Sequence, residues 1–158
     1  AVFDQSNSAL EFAEMGTTMV AAGIDQPRAY VGHGGGSRAY LMQKGELQLL
    51  TTDHSYVMEL VKMGTITKEE AAMHPKRNII TRAVGIKDTV ETDMTVVSVQ
   101  KGDLLLLCTD GLSGMLSDEE LTEILRQKQS VKKKAKLLVE AANLRGGYDN
   151  ISLILIEI

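Results

Sequence analysis

Residues 101–121 read KGDLLLLCTDGLSGMLSDEEL, and the fold turns on how that stretch is read. Lys101-Gly102 is a turn signal, and Leu104 to Cys108 form an apolar run that reads as a strand. Ser117-Asp118-Glu119-Glu120 is a capping box that opens a helix. Between strand and helix stands Thr109-Asp110-Gly111, so a carboxylate is delivered where an apolar strand ends. The end of the chain repeats the pattern in reverse: GGYDNISLILIEI, residues 146–158, places Asp149 just before another apolar, β-branched strand. That last run should lie central in a sheet. If the two strands are antiparallel neighbours, Asp110 and Asp149 converge at one edge of the sheet. Two carboxylates at an apolar rim repel and lose hydration, and a divalent cation compensates both; an all-oxygen set suits magnesium or manganese. Spacing alone leaves a second reading open, in which Asp110-Gly111 is a turn and Asp149 an Asx-type cap, both facing water.

Working outward, Ser130 caps a further helix, VKKKAKLLVEAANL, whose end is marked by Gly146-Gly147. Upstream, residues 1–14 read as a helix with Val2, Phe3, Leu10 and Phe12 among polar residues. MGTTMVAAGI then turns β-like. RAYVGH, SRAYLMQ and GELQLLT follow as short strands, Lys44-Gly45 being a hairpin signal, and together they predict an antiparallel meander. Residues 54–79 predict a helical insertion, with Val57, Leu60 and Val61 at helical spacing and a capping box at Thr67-Lys68-Glu69-Glu70 before Pro75. VETDMTVVSV returns to strand. Strands in runs, then paired helices, then a strand, give an α+β layered domain spanning residues 1–158 rather than a βαβ series.

At 158 residues the chain is long enough for one core without covalent staples. The single cysteine, Cys108, excludes an internal disulfide framework and reads as a small buried thiol. A formal net charge of −4 gives no electrostatic reason for nucleic acid or an anionic membrane, and Lys132-Lys133-Lys134 reads as a solvated surface. No apolar run reaches the length of a membrane span and no signal-peptide pattern opens the chain, so a cytoplasmic location is the default. His33, His54 and His74 are scattered without metal-ligand spacing, and surface or turn roles are expected for each. The opening without Met, inside an apparent helix, suggests a processed chain or a fragment.

In order, MGTTMVAA, GSRAYLMQKGELQLLTTDHSYVMELVKMG, HPKRNIITRAVG, KGDLLLLCTDGLSGMLSDEEL and RGGYDNISLILIEI resemble the PPM family, also called protein phosphatase 2C, in its compact bacterial form. The resemblance spans Met15 to the end. It implies two antiparallel sheets packed face to face with helices outside, an α-β-β-α sandwich. It implies hydrolysis of phosphoserine and phosphothreonine by metal-activated water at a pair of Mn2+ or Mg2+ ions. The aspartates of the family's Thr-Asp-Gly and Gly-Gly-x-Asp-Asn motifs match Asp110 and Asp149, and Asn150 is the candidate supporting hydrogen-bonding residue. Residues 54–79 match the family's mobile flap. Phosphoproteins are the implied substrates, and bacterial relatives often oppose a Ser/Thr protein kinase.

The pattern departs from the family in two places. Residues 1–14 contain no counterpart of the family's N-terminal segment with its Asp-Gly-x-Gly-Gly motif, which supplies the aspartate bridging both metals. These residues therefore carry about half of a binuclear site. Second, Gly35-Gly36-Ser37-Arg38-Ala39 stands where the family usually reads Gly-Asp-Ser-Arg-Ala, so a ligand to a third metal has become Gly36. The glycine triplet Gly34-Gly35-Gly36 thus reads as a strand junction rather than a phosphate cradle, because no helix N-terminus follows it. Gly34 and Gly36 should each loosen the strand by about 0.5–1 kcal/mol against Ala. Ser37 and Arg38 are expected to pin strands rather than touch substrate. Two functional readings stand: a metal-dependent Ser/Thr phosphatase, or a pseudophosphatase or phosphatase fragment acting as a binding module. A missing N-terminal layer would leave apolar sheet surface exposed, which predicts self-association or poor solubility.

Overall fold

The computed structural model describes residues 2–13 and 15–158. Its strands are β1 (Met19–Asp25), β2 (Arg28–Gly34), β3 (Arg38–Gln43), β4 (Glu46–Leu49), β5 (Asp93–Ser98), β6 (Leu104–Cys108) and β7 (Leu153–Glu157). They form a three-stranded sheet, β1-β2-β5, and a four-stranded sheet, β4-β3-β6-β7. Every pairing in the larger sheet is antiparallel, with Leu41 opposite Leu105 and Leu106 opposite Leu155.

The leucine run resolves into two faces. Leu105 and Leu107 pack with Leu41, Ala39, Val31 and Ala29 in a core between the sheets, to which Val20, Ala22 and Val97 add partly buried surface. Leu104, Leu106 and Cys108 point the other way, with Tyr40 and Met42, against Leu112, Leu121, Leu125, Leu138 and Ala142. Those partners lie on or beside helices α4 (Asp110–Ser113), α5 (Asp118–Arg126) and α6 (Val131–Leu144). All five residues of β6 are buried because both faces are covered, and a continuous apolar run is what such a strand requires. Ser117 caps α5 with the full reciprocal box, and the Ser130 side chain accepts from Lys133 N–H at the start of α6. The hairpin at Lys44-Gly45 has φ of 51° and 84°, the positive pair that a two-residue turn of right-handed twist needs. Cys108 is buried, as its setting predicts.

By contacts the chain divides into two compact units. The second contains Val20–Gly32, Ser37–Thr51 and Met94–Ile158 and holds both cores just described; the first comprises the N-terminal residues to Met19, His33–Gly36 and Thr52–Asp93. The first carries α1 (Val2–Ser6), a short 3-10 turn at Leu10–Phe12, α2 (Tyr56–Lys62) and α3 (Lys68–Met73). Thr67 caps α3 with the expected box. α2 buries only Val57 and α3 only Ala71.

Three expectations change. The N-terminal helix is interrupted after Ser6 and resumes only as the 3-10 turn; residues 1 and 14 lie outside the described residues. The meander is broken, since β2 and β3 belong to different sheets. Gly35 sits at that break with φ of +109°, and a Cβ there would meet Thr18 Cγ2 at 2.5 Å. The apolar run that ends the chain is an edge strand, because β6 takes the central place between β3 and β7; Ile154 on it is 59% exposed. The outer face of β5 is also apolar and open, with Met94 63% and Val96 53% exposed.

Candidate functional site

β6 and β7 run antiparallel with Cys108 opposite Leu153, so the end of one meets the start of the other. Past the last ladder pair, Thr109 closes the junction. Its N–H donates to Ser152 O at 3.0 Å. Its hydroxyl accepts from Ser152 N–H and donates to Asn150 O, each at 3.1 Å. Thr109 is the N-cap residue of α4 by backbone, yet its side chain makes no cap hydrogen bond, being used across the strands instead. Gly111 completes the approach: a Cβ at that position would meet Asn150 O at 2.2 Å, so the Thr109-Asp110-Gly111 backbone can lie against Asn150 only with glycine there.

This junction brings the backbone flanking Asp110 against Asn150, the residue after Asp149, at one end of the β6-β7 pair. Both aspartates are exposed. Asp149 Oδ1 accepts from Asn150 N–H at 2.6 Å, which holds the carboxylate against its own loop. Asn150 enters the junction through its backbone carbonyl and amide. Carboxylate oxygens are the donors that a hard divalent cation prefers. Ser37 is buried at the start of β3, and Arg38, opposite Cys108 in register, donates from Nη1 to Tyr40 Oη at 3.3 Å. That contact joins neighbouring positions of the sheet.

The histidines depart from expectation. His33 and His54 are buried, 3% and 4% exposed, and their rings stack at 4.7 Å with planes 10° apart. His54 Nδ1 accepts from Gly35 N–H at 3.1 Å, which places the ring proton on Nε2, facing Asp93 Oδ2 at 3.1 Å. Arg82 Nη1 donates to Asp93 Oδ1 at 2.9 Å. These partners, the His54 hydrogen bond first, hold the Asp93 carboxyl below its ordinary range. His33 donates from Nε2 to Thr52 O at 2.9 Å, while its Nδ1 is buried without a hydrogen-bond partner among the described residues. The ligand-type atoms of His33, His54 and Asp93 lie within 4.8 Å of one another, close enough that they could hold a metal ion. The stacked, near-parallel rings keep their nitrogen lone pairs in separate planes rather than in one plane about a common centre. The Arg82 guanidinium, 3.4 Å from His54 Nε2, adds a fixed positive charge. The nitrogen-rich set also differs from the all-oxygen preference of manganese and magnesium. No local spacing could reveal this cluster, because its members come from three distant parts of the chain. His74 has the turn role expected of it, accepting from Lys76 N–H just after α3.

Solved structures of bacterial Ser/Thr phosphatases share this fold. The structure superposes on the Streptococcus agalactiae serine/threonine phosphatase with a TM-score of 0.94 and 39% identity, covering 99% of this chain and 64% of that one. It also superposes on the catalytic domain of the serine/threonine phosphatase PstP in complex with two manganese ions, with a TM-score of 0.87 and 36% identity, over 99% of this chain and 64% of that one. The chain belongs to the protein phosphatase 2C family, whose model matches residues 3–144. Among curated relatives, the serine/threonine phosphatase Stp of Listeria monocytogenes is 45% identical over 152 residues, 96% of this chain and 60% of that protein. Protein phosphatase PhpP of Streptococcus pneumoniae is 42% identical over 143 residues, 90% of this chain and 58% of that protein. The chain thus spans about 60% of the length of these curated relatives. Among the described residues, no helix is long and apolar enough to cross a membrane.

Proposed function

We propose that this chain carries the two-aspartate portion of the metal centre of a Ser/Thr protein phosphatase, with Asp110 and Asp149 as ligands to Mn2+ or Mg2+. The observation that carries the reading is the Thr109 junction, which joins the two strand ends bearing these carboxylates. The names of the relatives and the manganese in PstP support it.

Thr109 and Gly111 set the approach of the strand ends, and Asp110 and Asp149 offer accessible carboxylate oxygens there. Asn150 N–H restrains the Asp149 carboxylate and so limits the directions in which it can coordinate. Asp110 and Asp149 would help hold the divalent cations, which when bound would supply an acidified water as the nucleophile for phosphate-ester hydrolysis. Phosphoserine and phosphothreonine proteins are the proposed substrates, those of a Ser/Thr kinase among them, and the helical insertion at residues 54–79 is the proposed flap. A second reading, a binding module without turnover, rests on Gly36 at the position of a family aspartate; the phosphatase names of the relatives weigh against it.

The test is hydrolysis of an aryl phosphate by the purified 158-residue chain across a manganese titration. Manganese-dependent turnover that Asp149→Asn abolishes supports a working centre. A folded chain without turnover, whose manganese affinity still depends on Asp110 and Asp149, supports the binding reading. Turnover that survives Asp149→Asn overturns the ligand assignment.

A further inference from the structure

Within the first unit, the insertion between β4 and β5 is drawn together at a narrow neck. Ser55 bridges Ile80, Tyr56 N–H donates to Ile79 O at 2.9 Å, and Thr81 N–H donates to His54 O at 2.8 Å. Beyond the neck little holds the segment. Each of its helices buries one residue, while Met63 is 76% and Met73 85% exposed. A segment with so few buried contacts opens at a lower free energy than a core strand.

At the neck, one residue from each side reaches the same carboxylate. His54, on the outgoing side, has every polar group engaged: its N–H donates to Gly35 O at 3.0 Å, its C=O accepts from Thr81, its Nδ1 accepts from Gly35 N–H, and its Nε2–H faces Asp93. Arg82, on the returning side, holds the other Asp93 oxygen and also lies 3.3 Å from Glu91 Oε2. Because His54 Nε2 carries the proton, it and Arg82 Nη1 are both donors, and the Asp93 carboxylate is what allows them to sit 3.4 Å apart. We propose that His54, Asp93 and Arg82 form a clasp that closes the neck, so that residues 55–80 open and close as one unit while the sheet core stays folded. This device does not depend on the phosphatase reading.

Removing the Asp93 carboxylate leaves a histidine N–H and a guanidinium facing each other without an acceptor, and the neck should open. Residue-resolved hydrogen exchange on the whole chain tests this. In the unmodified protein, the Tyr56 and Thr81 amides should exchange through openings insensitive to low denaturant, whereas Leu105 and Leu106 should exchange only by global unfolding. In Asp93→Ala, exchange across residues 55–80 should rise at least about tenfold, with β6 and α6 little changed. Glu91→Gln, which touches Arg82 from an exposed position, should leave the pattern intact. Two outcomes overturn the clasp: neck amides that share the denaturant dependence of β6 in the unmodified protein, or an Asp93→Ala effect spread evenly over the chain.

Discussion

Of the three consecutive glycines, the structure makes one indispensable. Gly35 has φ of +109°, a region that side chains with a Cβ rarely enter, and the added methyl of Gly35→Ala would lie 2.5 Å from Thr18 Cγ2 and 2.7 Å from its Cβ. The backbone term is on the order of 1–3 kcal/mol. Relieving the overlap costs about 1–3 kcal/mol more. Gly36→Ala meets nothing nearer than Ile80 Cγ2 at 3.9 Å, and it removes unfolded-state freedom, so it should be neutral or stabilising by up to about 1 kcal/mol. In a chain of this size each kcal/mol moves Tm by about 2–4 °C. Thermal melts followed by circular dichroism should therefore place Gly35→Ala roughly 5–20 °C below the parent and Gly36→Ala at or slightly above it. Equal Tm values for the two variants would show that neither the positive φ nor the Thr18 contact restricts position 35. A Gly36→Ala variant as damaged as Gly35→Ala would do the same.

Two further outcomes follow from the core and the junction. Burial, against the opposing pull of Arg38, pushes the Tyr40 hydroxyl up from 10.0 to about 12. An acid whose folded pKa is raised contributes stability that is complete below pH 10 and lost between pH 10 and 12, up to about 2–3 kcal/mol; denaturant melts of Tyr40→Phe should fall less steeply across that window, and an unchanged slope would contradict it. Thr109→Val keeps the shape of the side chain but removes an acceptor for Ser152 N–H and a donor to Asn150 O. It should cost about 1 kcal/mol and weaken manganese binding several-fold, both read by calorimetry; an unaltered manganese affinity would remove Thr109 from the account of the site.

The sequence states some features plainly because they are local. Capping boxes at Thr67 and Ser117, the Lys44-Gly45 turn and the burial of Cys108 each depend on residues within one turn or strand, and each is present. The antiparallel meeting of β6 and β7 is also legible, since two apolar runs with aspartates at complementary ends have few other arrangements. What the chain does not display is which strands share a sheet. β2 and β3 adjoin in sequence but are parted by the bend at Gly35, and short alternating runs look alike in either sheet. The placement of β7 at an edge was likewise hidden, because its residues have the apolar character of a central strand. His33, His54 and Asp93 come together from three distant parts of the chain, so no spacing rule reaches them.

Whether Asp110 and Asp149 together receive a divalent cation can be read from paramagnetic broadening by Mn2+ in the amide spectrum of the 158-residue chain. Sub-stoichiometric Mn2+ should broaden the amides of residues 109–112 and 148–152 first, and Asp110→Asn or Asp149→Asn should abolish that selectivity. Broadening centred instead on His33, His54 and Asp93, or none at the β6-β7 junction in a folded protein, would rule out Asp110 and Asp149 as the cation ligands.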